Sequence, residues 1–224
     1  WYRSQFLTDQ RDAKADDTYA DDREQLGEGS VQLDQKVGDH FLTVGVDGLA
    51  QFLRSDRIDD ETANRQRVAV FAQDAYEFQG QGFRWSLLPG VRVTGDTQFG
   101  SALTPRIASA IHVDMLTVRV SVGTGFRAPD FRELYLRFEN PGVGYVVQGS
   151  PELRPERSVN YSASFDVTPK PWFAVSGQLY ANQIRDLIGT TIAQSTAPIL
   201  YTYENIDRAT TQGFDLQTKL SPGP

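Results

Sequence analysis

FRWSLLPGVRVT, residues 83–94, alternates apolar and polar side chains over most of its length. One face carries Phe83, Trp85, Leu87, Val91 and Val93, and the other carries Arg84, Ser86, Arg92 and Thr94. A period of two residues is typical of a β-strand with one apolar and one polar face. The stretch therefore predicts a strand, in which Pro89 marks an edge or a bulge because proline cannot donate to a ladder.

The same alternation recurs along the chain. It is clearest at 116–122 and 158–168, and weaker at 26–37, 40–53, 66–78, 101–113, 172–188 and 203–220. Pro105 falls inside one of these segments and, like Pro89, marks an edge or a bulge in its strand. With the first dozen residues counted as one strand, the pattern predicts an all-β, antiparallel fold of about ten strands.

The predicted connections alternate between short and long. The short ones lie at 38–39, 79–82, around 114 and 169–171, and the long ones at 12–23, 54–65, 127–156 and 189–201, with 96–99 as the exception. Short turns at one end of a sheet and long loops at the other are typical of an outer-membrane barrel. The apolar face, which carries almost no charge, would then meet lipid, and the polar face would line the lumen.

Composition excludes several classes of function. A formal net charge of −7 argues against nucleic acid as a partner, since phosphate binding needs a positive face. The absence of Cys excludes disulfides and thiolate metal sites, and one Met with two His leaves little for soft metal ligation. No apolar run approaches the roughly 20 residues of a spanning helix.

The segment GTGFRAPDFRELY, residues 123–135, resembles a strand-to-loop passage in the barrels of TonB-dependent receptors. The residues that carry this resemblance are Gly125, Phe126, Arg127, Ala128, Pro129, Glu133, Leu134 and Tyr135. SPELRPERSVNYS, residues 150–162, is similar to the family's next element through Leu153, Pro155, Glu156 and Ser158. The following hairpin of the family is similar to YANQIRDLI (180–188) and YENIDRATTQGFDLQ (203–217), which match it at Asn205, Ala209, Gly213 and Phe214. An upstream strand of the family is similar to HFLTVGVDG (40–48).

The resemblance implies a receptor in the bacterial outer membrane that takes up a scarce nutrient, such as a siderophore or a related metal chelate. Its expected partners are outer-membrane lipid, the small-molecule substrate and the TonB system, which acts through a plug domain. No cofactor, resident metal or covalent chemistry is expected, so no residue is assigned as catalytic.

The whole chain, residues 1–224, is expected to be part of the barrel domain. Barrels of this transporter type have about 22 strands around a plugged lumen, so about ten strands form less than half of one. The plug domain, the TonB box and the C-terminal strands are expected to lie outside this sequence, and the N-terminus shows no signal peptide, which for an exported protein implies a truncated or processed chain.

The segment 127–156 supplies the candidate ligand contacts, because it is the longest connection and function often lies on such loops. The candidates are Arg137, Phe138, Tyr145 and Gln148. The alternative interpretation is a generic extracellular loop, with Phe126 to Tyr135 packed at the barrel rim.

Other chemistry-bearing residues have simpler interpretations. The acidic groups Asp12, Asp16, Asp17, Asp21, Asp22 and Glu24, and Asp56, Asp59, Asp60 and Glu61, lack EF-hand spacing and are expected to solvate loops. His40 and His112 are not expected to ligate a metal, and Asp130 with Glu133 lacks a nucleophile or base. Arg84, Arg92, Arg119 and Asp166 would either hold the plug or line a hydrated lumen.

Two other classes of protein share these patterns. A passive outer-membrane porin would have the same barrel without an energised plug. A soluble β-rich binding protein, such as a carbohydrate-binding module, would have alternating strands but would remain monodisperse without detergent.

Overall fold

The computed structural model describes residues 2–8, 20–58 and 61–221, and nearly all of them lie in one 12-stranded sheet. The strands are β1 (Tyr2–Thr8), β2 (Ala20–Val37), β3 (His40–Ser55), β4 (Thr62–Gln79), β5 (Phe83–Asp96), β6 (Gly100–Val113), β7 (Leu116–Arg127), β8 (Arg137–Asn140), β9 (Tyr145–Gln148), β10 (Glu156–Lys170), β11 (Phe173–Gln194) and β12 (Ile199–Leu220). A single short helix, α1 (Phe131–Tyr135), follows β7 in the described part of the chain. No helix of this part is long and apolar enough to cross a membrane.

Strand order follows the chain from β1 to β7 and then continues through β10, β11 and β12 with antiparallel pairing throughout. The hairpin β8–β9 is added beside the start of β12, where Ile199–Thr202 pairs in parallel with Tyr145–Gln148. Within the described residues the sheet remains open. The predicted all-β, antiparallel architecture is confirmed, but the described residues form twelve strands rather than about ten, because two short strands lie inside the segment 127–156.

The sheet has two chemically different faces, as the alternation predicts. What we call the outer face presents large apolar side chains to the surroundings, among them Val31, Leu33, Val44, Val68, Val70, Val93, Leu103 and Leu216. The inner face carries the residues between them, including Arg84, Arg92, Arg119 and Asp166. Cross-strand partners such as Val93 and Leu103 lie on the same face, so the strand register keeps the outer face continuous.

The two ends of the sheet differ in their connections. At the short-turn end, strands are joined at 38–39, 80–82, 114–115 and 171–172. Gly38 and Asp114 have φ values of 60° and 48° there, in the left-handed region that tight turns require. At the long-connection end, the predicted loops at 54–65 and 189–201 are shorter than expected, because strands extend to Ser55, Gln194 and Ile199 and leave only 56–61 and 195–198.

Both prolines lie in continuous strands, and each coincides with a gap in one ladder. Pro89 pairs with Ile107 on β6, whereas the described β4–β5 pairing passes from Gln73–Gly90 to Tyr76–Leu87. Pro105 pairs with Val91 on β5, and the β6–β7 ladder begins one residue later at Arg106–Gly123. Each proline therefore lacks its N–H on the side of the strand where no ladder hydrogen bond is needed.

Candidate functional site

The segment between β7 and β10 folds back onto the inner face at the long-connection end. Phe131 and Leu134 of α1 are buried, together with Leu53, Ile58 and Leu153. Around them pack Ala63, Phe99, Tyr135, Ile188 and Tyr203. Because these neighbours come from β3–β4 and also from β11–β12, the sheet curves around the helix, and the main apolar core of the described chain lies there.

Local sequence explains why so short a helix forms. The Asp130 side chain accepts a hydrogen bond from the Glu133 backbone N–H at 2.8 Å, and the Glu133 side chain accepts from the Asp130 backbone N–H at 2.8 Å. This reciprocal capping box satisfies two donors that a helix start leaves unpaired. The two carboxylates interpreted above as lacking a catalytic partner therefore have a structural role.

Arg65 on β4 anchors the same segment from the inner face. It is only 5% exposed, and its Nη1 donates to the Pro129 carbonyl oxygen at 2.6 Å while Nη2 donates to Gln51 Oε1 at 2.9 Å. Its guanidinium carbon lies 5.1 Å from the centre of the Phe131 ring, a cation–π geometry. Sequence reasoning missed Arg65, because on an alternating strand it resembles any other lumen-facing arginine.

Two further motif residues form an ion-pair cluster beside the helix. Arg127 Nη2 lies 2.6 Å from Glu133 Oε1, and Arg127 Nη1 lies 3.0 Å from Glu156 Oε1. Glu156 also accepts a hydrogen bond from the Ile188 backbone N–H at 2.9 Å. The cluster therefore joins the end of β7, the helix, β10 and β11.

Asn205 connects the end of the segment to the sheet. Its Oδ1 accepts from the Arg154 backbone N–H at 2.8 Å, and its Nδ2 donates to the carbonyl oxygens of Arg154 and Asp186 at 2.9 and 2.8 Å. A side-chain amide has both a donor and an acceptor, so Asn205 can satisfy backbone groups of the segment and of β11 at the same time. Nearby, Leu153 is buried and Pro155 directly precedes β10.

The remaining motif residues are explained by packing. A Cβ added at Gly125 would lie 2.5 Å from Ser158 Oγ, and one added at Gly213 would lie 2.5 Å from Tyr180 Cζ. Ala128 and Pro129 are buried at the start of the segment, whereas Phe214 is 60% exposed on the outer face. Most of the motif residues thus position the inward-folded segment.

The four candidate ligand residues lie on the hairpin β8–β9, but they do not form one cluster. Arg137 and Gln148 are cross-strand partners on one face. Phe138 and Tyr145 lie on the other face with ring centroids 6.1 Å apart, and Tyr145 contacts Tyr201 edge-on at 6.1 Å. Alternation along β8 separates the two pairs, since neighbouring side chains point to opposite faces.

Each pair faces a different environment. Arg137 and Gln148 line a cavity of about 660 Å³ together with Asn64, Gln98 and Tyr135. Phe138 lies under Arg57, whose guanidinium carbon is 5.3 Å from the ring centre. The first pair therefore presents a cation and amides to an open polar cavity, and the second forms an aromatic surface capped by a cation.

Two of the predicted inner-face arginines form ion pairs on that face, and the third, Arg84, lines it opposite His112. Arg92 forms an ion pair with Asp47, and Arg119 forms one with Asp166. His40 and His112 lie on opposite faces of the sheet, since His40 aligns with outer Tyr76 and His112 with inner Arg84. They therefore cannot share a metal ion.

Parts of the predicted acidic groups lie outside the described residues, namely Asp12, Asp16, Asp17, Asp59 and Asp60. Among those described, Asp22 forms an ion pair with Arg57 at 3.3 Å, and Glu24 accepts from Gln51 at 2.7 Å. Within the described ranges, no group of three or more His, Cys, Asp or Glu side chains is placed to hold a metal ion.

Comparison with known families gives these features a context. The model of the family described as TonB dependent receptor-like, beta-barrel, matches residues 1–221. The chain belongs to the TonB-dependent receptor family. This family consists of outer-membrane receptors and transporters rather than enzymes, and the location predicted from the sequence, the bacterial outer membrane, is confirmed. The short-turn end is then periplasmic and the long-connection end extracellular.

Two curated relatives align with about two thirds of this chain. The iron-regulated outer membrane virulence protein of Vibrio cholerae serotype O1 is 31% identical over 158 residues, which cover 68% of this chain and 24% of that protein. The vitamin B12 transporter BtuB of Photobacterium profundum is 28% identical over 163 residues, covering 71% of this chain and 24% of the transporter. The chain thus spans about a quarter of the length of these relatives.

Solved structures share the fold. The siderophore receptor PirA from Pseudomonas aeruginosa superposes with a TM-score of 0.78 at 17% identity, covering 89% of this chain and 40% of that receptor. The ferric enterobactin receptor PfeA of the same species, as a Q482A mutant in complex with enterobactin, gives 0.67 at 18% identity, covering 88% and 33%. The barrel fold predicted from alternation is therefore confirmed.

Proposed function

We propose that this chain is part of a receptor for TonB-energised uptake of a siderophore or related metal chelate, and that a plug domain outside this sequence couples it to TonB. The observation that carries the proposal is the family match over residues 1–221. Relatives named as iron-regulated or as siderophore receptors support the chelate as substrate class. The apolar outer face argues against the soluble β-rich alternative, because large apolar patches rarely face water.

The hairpin β8–β9 supplies the proposed substrate contacts. Arg137 and Gln148 open onto the cavity of about 660 Å³ at the extracellular end, where an incoming solute arrives. The Arg137 side chain is 52% exposed. Its guanidinium forms an ion pair at 2.6 Å with Glu139, whose side chain is 51% exposed. A cation at the mouth of a polar cavity favours an anionic ligand, as many ferric chelates are.

The test uses the full-length receptor in cells and after purification. Arg137→Ala should raise the Kd for an anionic ferric chelate such as ferric enterobactin roughly ten- to 150-fold, the effect of one charge-assisted hydrogen bond of about 1.5–3 kcal/mol. Tyr161→Ala, which removes a side chain from the outer face, should leave the Kd unchanged. Binding is measured by quenching of intrinsic fluorescence.

A second arm separates this function from the passive porin. Uptake of iron-55 as the chelate should fall to background in cells that lack TonB. Uptake that persists without TonB and rises linearly with concentration would instead support a passive channel.

A further inference from the structure

Three arginines lie side by side near the extracellular end of the sheet, and we call them the arginine row. Arg157 on β10 is the cross-strand partner of Arg185 on β11, and Arg185 is the partner of Arg208 on β12. All three residues are exposed. Neighbouring strands are about 4.8 Å apart, so the row spans about 10 Å and can present its positive charges to a single molecule.

Alternation places the arginine row on the outer face. Each arginine lies an even number of residues from a large exposed side chain on its own strand, and these side chains are Tyr161 on β10, Leu179 on β11 and Phe214 on β12. Side chains separated by an even number of residues share a face of a strand. The guanidinium groups therefore face the membrane rather than the lumen.

The height of the row coincides with the boundary of the membrane. On β10, Arg157 lies ten residues from Val167, which pairs with Leu116 beside a periplasmic turn. Ten residues extend about 33 Å along a strand. A strand tilt of about 40° reduces this length to about 25 Å across the membrane, which is the height of the apolar band of an outer-membrane barrel. The arginine row therefore lies at the level of the headgroups of the outer leaflet.

The side chains below the row form a surface suited to acyl chains. The next row toward the periplasm is mixed and consists of Thr124, Val159, Gln183 and Thr210. Two rows further, the outer face consists of Val120, Ala163, Leu179 and Phe214. The outer face thus changes from apolar to cationic within six residues of β10, as the surface of a lipid changes from acyl chain to headgroup.

Charge complementarity identifies the chemistry of the headgroup. Like charges directly opposite each other on a sheet repel, and an anion shared by the guanidinium groups offsets this repulsion. Arginine forms bidentate hydrogen bonds with phosphate, and basic clusters at a membrane surface attract anionic lipids. Two carboxylates close in sequence are directed elsewhere, because Asp186 forms an ion pair with Arg154 at 2.6 Å and Asp207 lies one residue from Arg208, on the opposite face.

A second pair of arginines lies at the same end of the outer face. Arg54 on β3 is the cross-strand partner of Arg23 on β2, close to the extracellular ends of both strands. Beside the periplasmic turns, by contrast, the outer face carries apolar residues such as Val113 and Leu116. These cations are therefore placed against the outer leaflet of the membrane.

We propose that Arg157, Arg185 and Arg208 form a binding site for a phosphorylated lipid of the outer leaflet. The lipid phosphates accept hydrogen bonds from the guanidinium groups, and the acyl chains extend toward the periplasm over the apolar rows below. The site faces away from the substrate cavity. It goes beyond substrate uptake and depends only on the outer-membrane location.

Lipid competition on the full-length receptor tests the proposal. The purified receptor is incubated with equal amounts of two forms of lipid A, which have the same acyl chains but carry two phosphates or one, and bound lipid is counted by native mass spectrometry. The form with two phosphates should bind with roughly tenfold preference, because the second phosphate adds charge-assisted hydrogen bonds. An excess of inorganic phosphate should not displace it, since the acyl chains contribute to binding. Equal binding of the two forms, or displacement by inorganic phosphate, would overturn the proposal.

Substitutions determine whether the arginine row is responsible. Arg185→Gln removes the central guanidinium and should lower the preference roughly tenfold, to near equality. Arg106→Gln is the matched control, because Arg106 is an exposed arginine on the inner face, opposite Gly90, and should leave the preference unchanged. If Arg185→Gln does not assemble, Arg208→Gln at the end of the row should lower the preference by a smaller factor. A preference that survives these substitutions in an assembled barrel, or an equal loss in Arg106→Gln, would refute the site.

Discussion

Replacing Arg65 with Met should release the inward-folded segment while the sheet remains intact. Met keeps most of the buried stem but removes the donors to Pro129 and Gln51 and the cation over Phe131. Each of the two hydrogen bonds from this charged donor contributes about 1.5–3 kcal/mol, and the ring contact contributes about 1 kcal/mol. Because the wild-type guanidinium loses its own hydration on burial, roughly half of that sum is offset, which leaves a net loss of about 2–3 kcal/mol.

Hydrogen exchange in the full-length receptor measures this loss where it should appear. The reporters are the amides of Leu134, Gly149 and Ser150, which donate to Asp130, Leu136 and Glu133 at 3.1, 2.8 and 2.8 Å. A loss of about 2–3 kcal/mol in local opening accelerates their exchange roughly 30- to 150-fold. Amides in the middle of β4 should keep their protection, because the ladder does not depend on Arg65.

Arg67→Met is the matched control. Arg67 lies two residues further along the same face of β4, but its hydrogen bond and ion pair, both at 3.1 Å, join it to Asp96 on β5. It should leave the three reporter amides unchanged. Unaltered exchange in Arg65→Met, or an equal acceleration in Arg67→Met, would refute the role assigned to Arg65.

Two further predictions concern the faces of the sheet. Val91→Arg places a charge on the outer face and should destabilise the parent barrel by about 2–4 kcal/mol near mid-membrane. Gln178→Arg, on the inner face beside Asp215, should destabilise it by less than about 1 kcal/mol in the same lipid-refolding titration. Equal losses of stability in the two variants would contradict the assigned faces. Gly45→Ala should cost about 1–3 kcal/mol, because its Cβ would lie 2.3 Å from Phe71 Cζ and 2.9 Å from the Val31 carbonyl oxygen, while Gly48→Ala has open space and should be neutral. A shift in the denaturation midpoint that is the same for both glycine variants would show that Phe71 moves aside freely.

The strands and their faces could be predicted from sequence because both depend on a period of two residues. The assignment of Phe83 and Val93 to one face and Arg92 to the other needs no knowledge of the neighbours, and the register preserves it across the sheet. The lengths of β11 and β12 were underestimated because the alternating segments end at 188 and begin again at 203. The two strands continue by pairing with each other from Gly189–Glu204 to Gln194–Leu200, which the pattern of one strand does not indicate.

The candidate site was only partly predictable. The segment around Glu133 and Leu134 could be recognised, but its inward fold depends on Arg65, Asn205 and Ile188, which are distant in sequence. The five residues of α1 are too few for a helical period, although the capping pair Asp130 and Glu133 was a usable signal. Parallel pairing of β9 with β12 is non-local, and therefore nothing in the residues 145–148 indicates it.

The inward-folded segment has a consequence for the order of assembly. The cluster that contains Leu134 includes Leu53 from one side of the curved sheet, and Tyr203 packs against it from the other. The site of Leu134 therefore exists only after the intervening strands have joined. Contacts between residues this distant in sequence form late in folding. Substitutions in α1 should therefore have φ-values near zero: the barrel would insert at its normal rate, and only the rate at which it comes apart would increase.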